Sequence, residues 1–260
     1  MLIDSHCHLL HPRFGEEPAQ TPANLLADAQ AAGVAQVVNV ACRREEWAPA
    51  LALAEAEARV WVAAGIHPHD AGEGGMVTLD ELAGLAAHPR VVALGETGLD
   101  YYYDTAPKAV QQESFHLHLQ AAKAAGLPVV IHTRDAEDDT LAILREHMGV
   151  PFVLHCFTGT AAMAAAAVEM GGYISFSGVL TFKKSDDLRA IAATLPHDRV
   201  LVETDAPYLA PEPKRGKRCT PAMVAHTAAC LAKVWQMGDD GVADITATNT
   251  CRLLARMAGC

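Results

Sequence analysis

Aromatic side chains are scarce in this chain, at 5% of 260 residues, although hydrophobic residues overall reach 51%. Any core must therefore be built mostly from Ala, Val, Leu and Ile, a composition that suits helices packed on β-branched strands. Basic residues are also in deficit: 20 Lys and Arg face 31 Asp and Glu, a formal net charge of −11. That balance argues against a broad basic face for nucleic acid. It leaves a phosphodiester substrate open, because a bound cation is often the largest charge in its site. With charged residues at only 20%, disorder is not expected.

No CxxC pair occurs among the seven cysteines, Cys7, Cys42, Cys156, Cys219, Cys230, Cys251 and Cys260. Their number is odd and their spacing irregular, so they read as free thiols in a reducing compartment. The opening MLIDSHCH lacks a basic segment followed by an apolar one, and no 18-residue apolar run occurs. The expectation is a cytoplasmic enzyme, monomeric and without membrane contact. No linker, low-complexity tract or charge break divides the chain, so residues 1–260 are expected to form a single domain.

What is present is a regular alternation. Strand-like runs lie near 2–6, 35–41, 60–66, 91–96, 128–132, 151–155, 173–177 and 199–204. Helix-like segments lie near 22–33, 44–57, 78–87, 107–125, 137–147, 160–170, 185–194, 220–235 and 241–257. Such alternation with near-continuous apolar strands implies a parallel sheet covered by helices. Eight repeats in a chain of this length favour an α/β fold of the (β/α)8 TIM-barrel type over an open sheet.

Six groups with metal-ligand chemistry stand at the C-terminal edges of these runs: His6, His8, Glu96, His132, His155 and Asp205. A closed barrel brings those edges to one face, where enzymes of this fold keep their chemistry. Imidazoles and carboxylates converging there make a divalent-cation site. His6 and His8 are two apart and so share a face of their strand, while Cys7 points the other way. Each residue has a plainer reading: exposed histidines, a Glu96–Arg134 salt bridge, core histidines, or Asp205 capping the turn at Ala206-Pro207. As a proton acceptor, Asp205 would be effective because a cation lowers the pKa of its water toward roughly 7. His67, in GIHPH, reads as a contact for substrate phosphate or leaving group, and Arg134 with Asp135 as supporting or substrate groups.

Lys183-Lys184 follow the seventh run, and Lys214, Arg215, Lys217 and Arg218 follow the eighth. In barrels these two loops often bind phosphate, so Lys183, Lys214 and Arg215 are candidate substrate contacts. Tyr101, Tyr102, Tyr103, Phe157 and Tyr208 could stack on bases or simply pack.

Taken together, the motifs DSHCHL (4–9), GIHPH (65–69), GETGLDYY (95–102), HTRDA (132–136), HCFTG (155–159), ETDAPYL (203–209) and NTCRLL (249–254) resemble the TatD family of metal-dependent deoxyribonucleases. They stand in the family's order over nearly the whole chain. The resemblance implies an amidohydrolase-type barrel with two divalent metal ions and 3′-to-5′ hydrolysis of DNA phosphodiesters, with single strands or 3′ ends as substrate. It also implies that His6, His8, Glu96 and Asp205 hold one ion and Glu96, His132 and His155 the other. Mg²⁺, Mn²⁺ and Zn²⁺ all remain open, since four His ligands suit Zn²⁺ or Mn²⁺ better than the oxygen-preferring Mg²⁺. Two positions depart from the family pattern: His118 stands where Gln is common, and Cys219 follows RGKR. Hydrolysis of a carbonyl substrate (ester, lactone, amide or aminoacyl-tRNA ester) is the competing reading, because fold does not fix substrate.

Overall fold

The structure is a computed structural model that describes residues 1–257 except 73, 75 and 104. Eight parallel strands run in order around one sheet: β1 (Leu2–Cys7), β2 (Val34–Ala41), β3 (Val60–Ala64), β4 (Val91–Asp100), β5 (Val129–Arg134), β6 (Phe152–Leu154), β7 (Tyr173–Phe176) and β8 (Val200–Val202). The helices between and after them are α1 (Pro12–Gly15), α2 (Pro22–Ala31), α3 (Arg44–Ala56), α4 (Leu79–Ala87), α5 (Lys108–Ala125), α6 (Glu137–Glu146), α7 (Ala161–Glu169), α8 (Asp186–Thr194), α9 (Val224–Val234) and α10 (Asp239–Leu253).

The expected alternation is thus present, with three differences. The short helix α1 has no sequence counterpart, because four residues are too few to show a period. A 3₁₀ turn, Pro221–Met223, precedes α9. Strand β4 runs four residues past Glu96, to Asp100. Helix ends follow local chemistry. The Thr21 hydroxyl caps α2 by accepting from Asn24 N–H at 3.3 Å, Thr78 and Glu81 form a capping box on α4, and Gly126 stops α5 at φ 65°.

The strands are apolar on both faces because both are covered. Inside the barrel, Ile3, Val38, Val40, Trp61, Val92, Val130, Val153, Tyr173 and Leu201 form one cluster with Leu253, Leu254 and Met257. Outside it, Cys7, Val37, Val62, Leu94, Ile131, Leu154, Ile174 and Val202 pack on the helices. This fills the N-terminal half of the barrel and leaves polar groups at the C-terminal mouth. The gap between β1 and β8 is closed by a bridge of Cys7 to Ala206. Asp205 N–H donates to His6 O at 2.9 Å, and His8 N–H to Ala206 O at 2.8 Å. That closure sets His6, His8 and Asp205 side by side.

Cys7, Cys42, Cys156, Cys219 and Cys230 are free thiols. Cys251 is disulfide-bonded, which corrects the reading of uniformly free cysteines; Cys260 lies outside the described residues. Among the described residues, no helix is long and apolar enough to cross a membrane.

Candidate active site

Glu96 lies at the centre of the mouth, 3% exposed. The β4–β5 register pairs Gly95 with Val130 and Thr97 with Ile131, leaving Glu96 as the extra residue of a bulge. Bulges re-aim side chains, and here the carboxylate turns inward. Two glycines allow this. A Cβ on Gly65 would meet Gly95 Cα at 2.7 Å, and one on Gly98, at φ 130°, would run into the His132 carbonyl oxygen.

Both oxygens of Glu96 face imidazoles. Oε2 is 3.5 Å from His6 Nε2 and 4.0 Å from His8 Nε2. Oε1 is 2.6 Å from His155 Nε2, 3.2 Å from His132 Nδ1 and 3.4 Å from His67 Nε2. Asp205 Oδ1 completes the first group, 3.4 Å from His8 Nε2 and 3.8 Å from His6 Nε2. All six residues expected to converge do so. His67 joins them as well, since its donor atom reaches Glu96 instead of standing at the rim.

The outward nitrogens are held. His132 Nε2 lies 2.9 Å from Asp100 Oδ2, which also takes His69 Nε2 at 2.8 Å. His155 Nδ1 lies 3.2 Å from Glu203 Oε1, which also accepts Cys156 N–H at 2.8 Å. His8 Nδ1 lies 3.2 Å from Val40 O. Each ring that donates outward turns an acceptor lone pair inward. His155 Nε2 is buried, close to Glu96, and without hydrogen-bond alignment to any group. Lone pairs facing carboxylate oxygens repel unless a proton or a cation lies between them. The donor set of imidazoles and carboxylates therefore fits divalent cations, and among the described residues three groups, His6 with His8 and Glu96, His67 with Glu96 and His132, and His6 with His155 and Glu203, bring their donor atoms within 4.8 Å of one another.

The charges respond accordingly. Burial opposes ionisation of Glu96, but the imidazoles of His155, His67 and His132 hold it well below the usual carboxylate range. Burial lowers the imidazole of His155, yet Glu96 and Glu203 outweigh that and raise it well above its ordinary value. Burial pushes His67 down to about 4. For Asp205, burial is outweighed by the bond to His8, so its carboxyl is lowered.

Sequence reading missed Asp100 and Glu203, both fully buried. A signal existed: Asp100 follows Glu96 at i+4, and Glu203 precedes Asp205 by two, the period of a strand face. Backbone turns left-handed just beyond three of the strands, at φ 52° for Asp135, 43° for Cys156 and 56° for Asp205. Left-handed non-glycine backbone of this kind concentrates at functional sites.

Above the cluster opens a cavity of about 1010 Å³, lined among others by His11, Cys42, Arg43, Asp70, Tyr103, Arg134 and Tyr208. Arg134 stacks its guanidinium 3.9 Å from the Tyr102 ring centroid and does not pair with Glu96. Lys183, Lys214 and Arg215 do not line this cavity. Arg215 instead lies over Phe182 at 3.7 Å, and Arg218 is tied to Glu16 at 2.6 Å. Of the aromatic candidates, Phe157 is core and the Tyr101 hydroxyl bonds Asp139 at 2.7 Å; Tyr103 and Tyr208 reach the cavity. A second cavity of about 460 Å³ opens at the other end of the strands, with no His or carboxylate in its lining.

Residues 3–255 match the family described as TatD related DNase. The chain belongs to the TatD family. It is 42% identical over 254 residues to the uncharacterized metal-dependent hydrolase YcfH of Escherichia coli K12, covering 97% of this chain and 95% of that one. It is 37% identical over 241 residues to a protein of Cronobacter turicensis named 3′-5′ ssDNA/RNA exonuclease TatD, covering 90% and 92%. The crystal structure of YJJV, a TatD homolog from Escherichia coli, superposes with a TM-score of 0.89 at 32% identity, covering 97% of each chain. This TatD-family chain is a metal-dependent hydrolase whose barrel mouth carries clusters able to hold metal.

Proposed function

We propose that the chain is a deoxyribonuclease that shortens single-stranded DNA from its 3′ end. The observation that supports it most is Glu96, whose two oxygens face separate sets of imidazoles. The Cronobacter turicensis relative's name adds to it. In this reading His6, His8, Glu96 and Asp205 would hold one divalent cation, and Glu96, His132 and His155 would hold the other. His67 stands ready beside the second. The cations, Mg²⁺, Mn²⁺ or Zn²⁺, would supply Lewis acidity at the phosphate and lower the pKa of water.

The chain's own groups do the rest. Asp205, ionised at neutral pH, takes the proton of the attacking water. Asp100 and Glu203 keep His132 and His155 in the tautomers that point lone pairs inward. Arg134 contacts a phosphate oxygen. Tyr103 and Tyr208 stack on bases, each worth about 1–3 kcal/mol.

A carbonyl ester is the second reading, and one observation favours it: Glu45 and Glu46 line the same cavity and would repel a long polyanion. The test is hydrolysis of end-labelled single-stranded DNA by metal-stripped protein with each metal added back, beside small esters. Metal-restored shortening from the 3′ end, lost at least a thousandfold in Asp205→Ala with the fold intact, is expected. Faster turnover of esters, abolished by chelator, would replace this reading with the second.

A further inference from the structure

Arg43 is absent from every motif above, yet it stands one residue beyond Cys42, whose Sγ lies 3.4 Å from Glu96 Oε2. It stands immediately before α3 and lines the large cavity with about half of its side chain exposed. Its Nε donates to Asp70 Oδ2 at 3.0 Å. Asp70 is mostly buried and sits in the turn after His67 and His69, so it is a fixed anchor. Among the described residues Arg43 is held through Nε, which presents its two terminal nitrogens as an edge that matches the oxygens of a phosphate.

The neighbours suit a nucleotide. Tyr208 and His11 line the same wall, joined between the Tyr208 hydroxyl and His11 Nε2 at 2.8 Å. Arg13 lies 5.6 Å from the Tyr208 ring centroid. Glu45 and Glu46 also line the cavity, but Glu46 is committed to Cys42 N–H at 2.8 Å. An anchored cation, a partly exposed aromatic ring and a histidine thus line the same cavity beside the cluster.

We propose that Arg43, with Tyr208, forms a subsite for a second nucleotide, in which Arg43 binds the phosphate next to the one that is cleaved. The proposal rests on the phosphodiesterase reading. It makes the substrate a polynucleotide of at least two phosphates and leaves mononucleotide esters as poor substrates.

The experiment compares single-stranded DNA with a nucleoside 5′-(p-nitrophenyl phosphate), which has one phosphate. Arg43→Ala should raise KM for DNA at least tenfold with kcat within about twofold, and should raise KM for the one-phosphate substrate far less. The slope of log(kcat/KM) against log salt should fall by about 0.7, the loss of one single-strand phosphate contact. Arg43→Lys should recover part of the KM, because charge returns without the anchored fork. An unchanged KM and salt slope in active Arg43→Ala overturns the subsite alone. No DNA hydrolysis by the wild type, with turnover of esters, overturns the subsite and the reading beneath it. A purely structural role for Arg43 would lower thermal stability without moving the salt slope.

Discussion

Asp100 Oδ2 lies 2.9 Å from His132 Nε2, and the other ring nitrogen of His132 lies 3.2 Å from Glu96 Oε1. The carboxylate is buried, and although burial opposes its charge, His132, Tyr103 N–H and His69 hold its pKa far down. It therefore fixes the direction of the ring, with Nδ1 facing inward, and raises its basicity. Asp100→Asn should lower metal affinity about 10- to 100-fold while circular dichroism stays native. Wild-type affinity by calorimetry in a folded variant would rule out this role.

Protons and metal compete for the same nitrogens. Burial lowers His8 and His132, but Asp205 outweighs it for the first and Asp100 for the second, so both bind protons more tightly than ordinary imidazole. With His155 raised further, metal binding to stripped protein should release protons at neutral pH. Apparent affinity should rise with pH above the usual imidazole value near 6.5. Calorimetry in buffers of different ionisation enthalpy measures the release; none at pH 7 contradicts the charge assignment.

Asp4 ties the first strand to the last. Its Oδ1 accepts Thr204 N–H at 2.9 Å and its Oδ2 lies 2.6 Å from the Thr204 hydroxyl. Burial raises its pKa well above the ordinary value, so an uncharged amide can replace it. Asp4→Ala should cost about 3 kcal/mol, for two buried partners left unpaired and a cavity. Asp4→Asn should cost about 1 kcal/mol. Urea titrations giving equal losses would show that the hydrogen bonds do not matter to closure.

His118 is buried and receives Ile66 N–H on Nε2 at 3.1 Å, while Nδ1–H donates to Ser114 O at 2.7 Å. The bond from Ile66 needs the neutral ring, because a protonated Nε2 has no lone pair to accept with. Burial lowers its pKa to about 4. Because the folded value is depressed, the contribution is fully present above about 6.5 and is lost as pH falls toward 4. By pH 4.5 the wild type should lose about 2–3 kcal/mol more than His118→Gln, which cannot titrate. Parallel stability curves for the two metal-free proteins would refute this. His118 thus packs behind the site, between Ile66 and Ser114.

Much of the site was readable before folding. The period of two along each apolar run marks which residues share a face, and the parallel barrel sends every strand end to one mouth. His6, His8, Glu96, His132, His155 and Asp205 could be named from those two rules. The outer carboxylates were harder: Asp100 sits in a run expected to stop at Glu96, and a bulge moves the register there. Composition does not say where the side chains of the basic loops turn, and Lys183, Lys214 and Arg215 do not line the cavity. Arg215 turned to Phe182 and Arg218 to Glu16.

By itself the sequence determined the alternation of strands and helices, the parallel barrel and the chemistry of its mouth, because those follow from local periods and from ligand types at strand ends. Only the tertiary structure decided that His67 joins the cluster, that Asp100 and Glu203 orient the rings, and that Arg43 and not Lys183 faces the cavity. Those relations are distances between segments far apart in the chain. They arise when closure of the barrel and the path of each loop bring particular atoms within reach, which no spacing along the chain records.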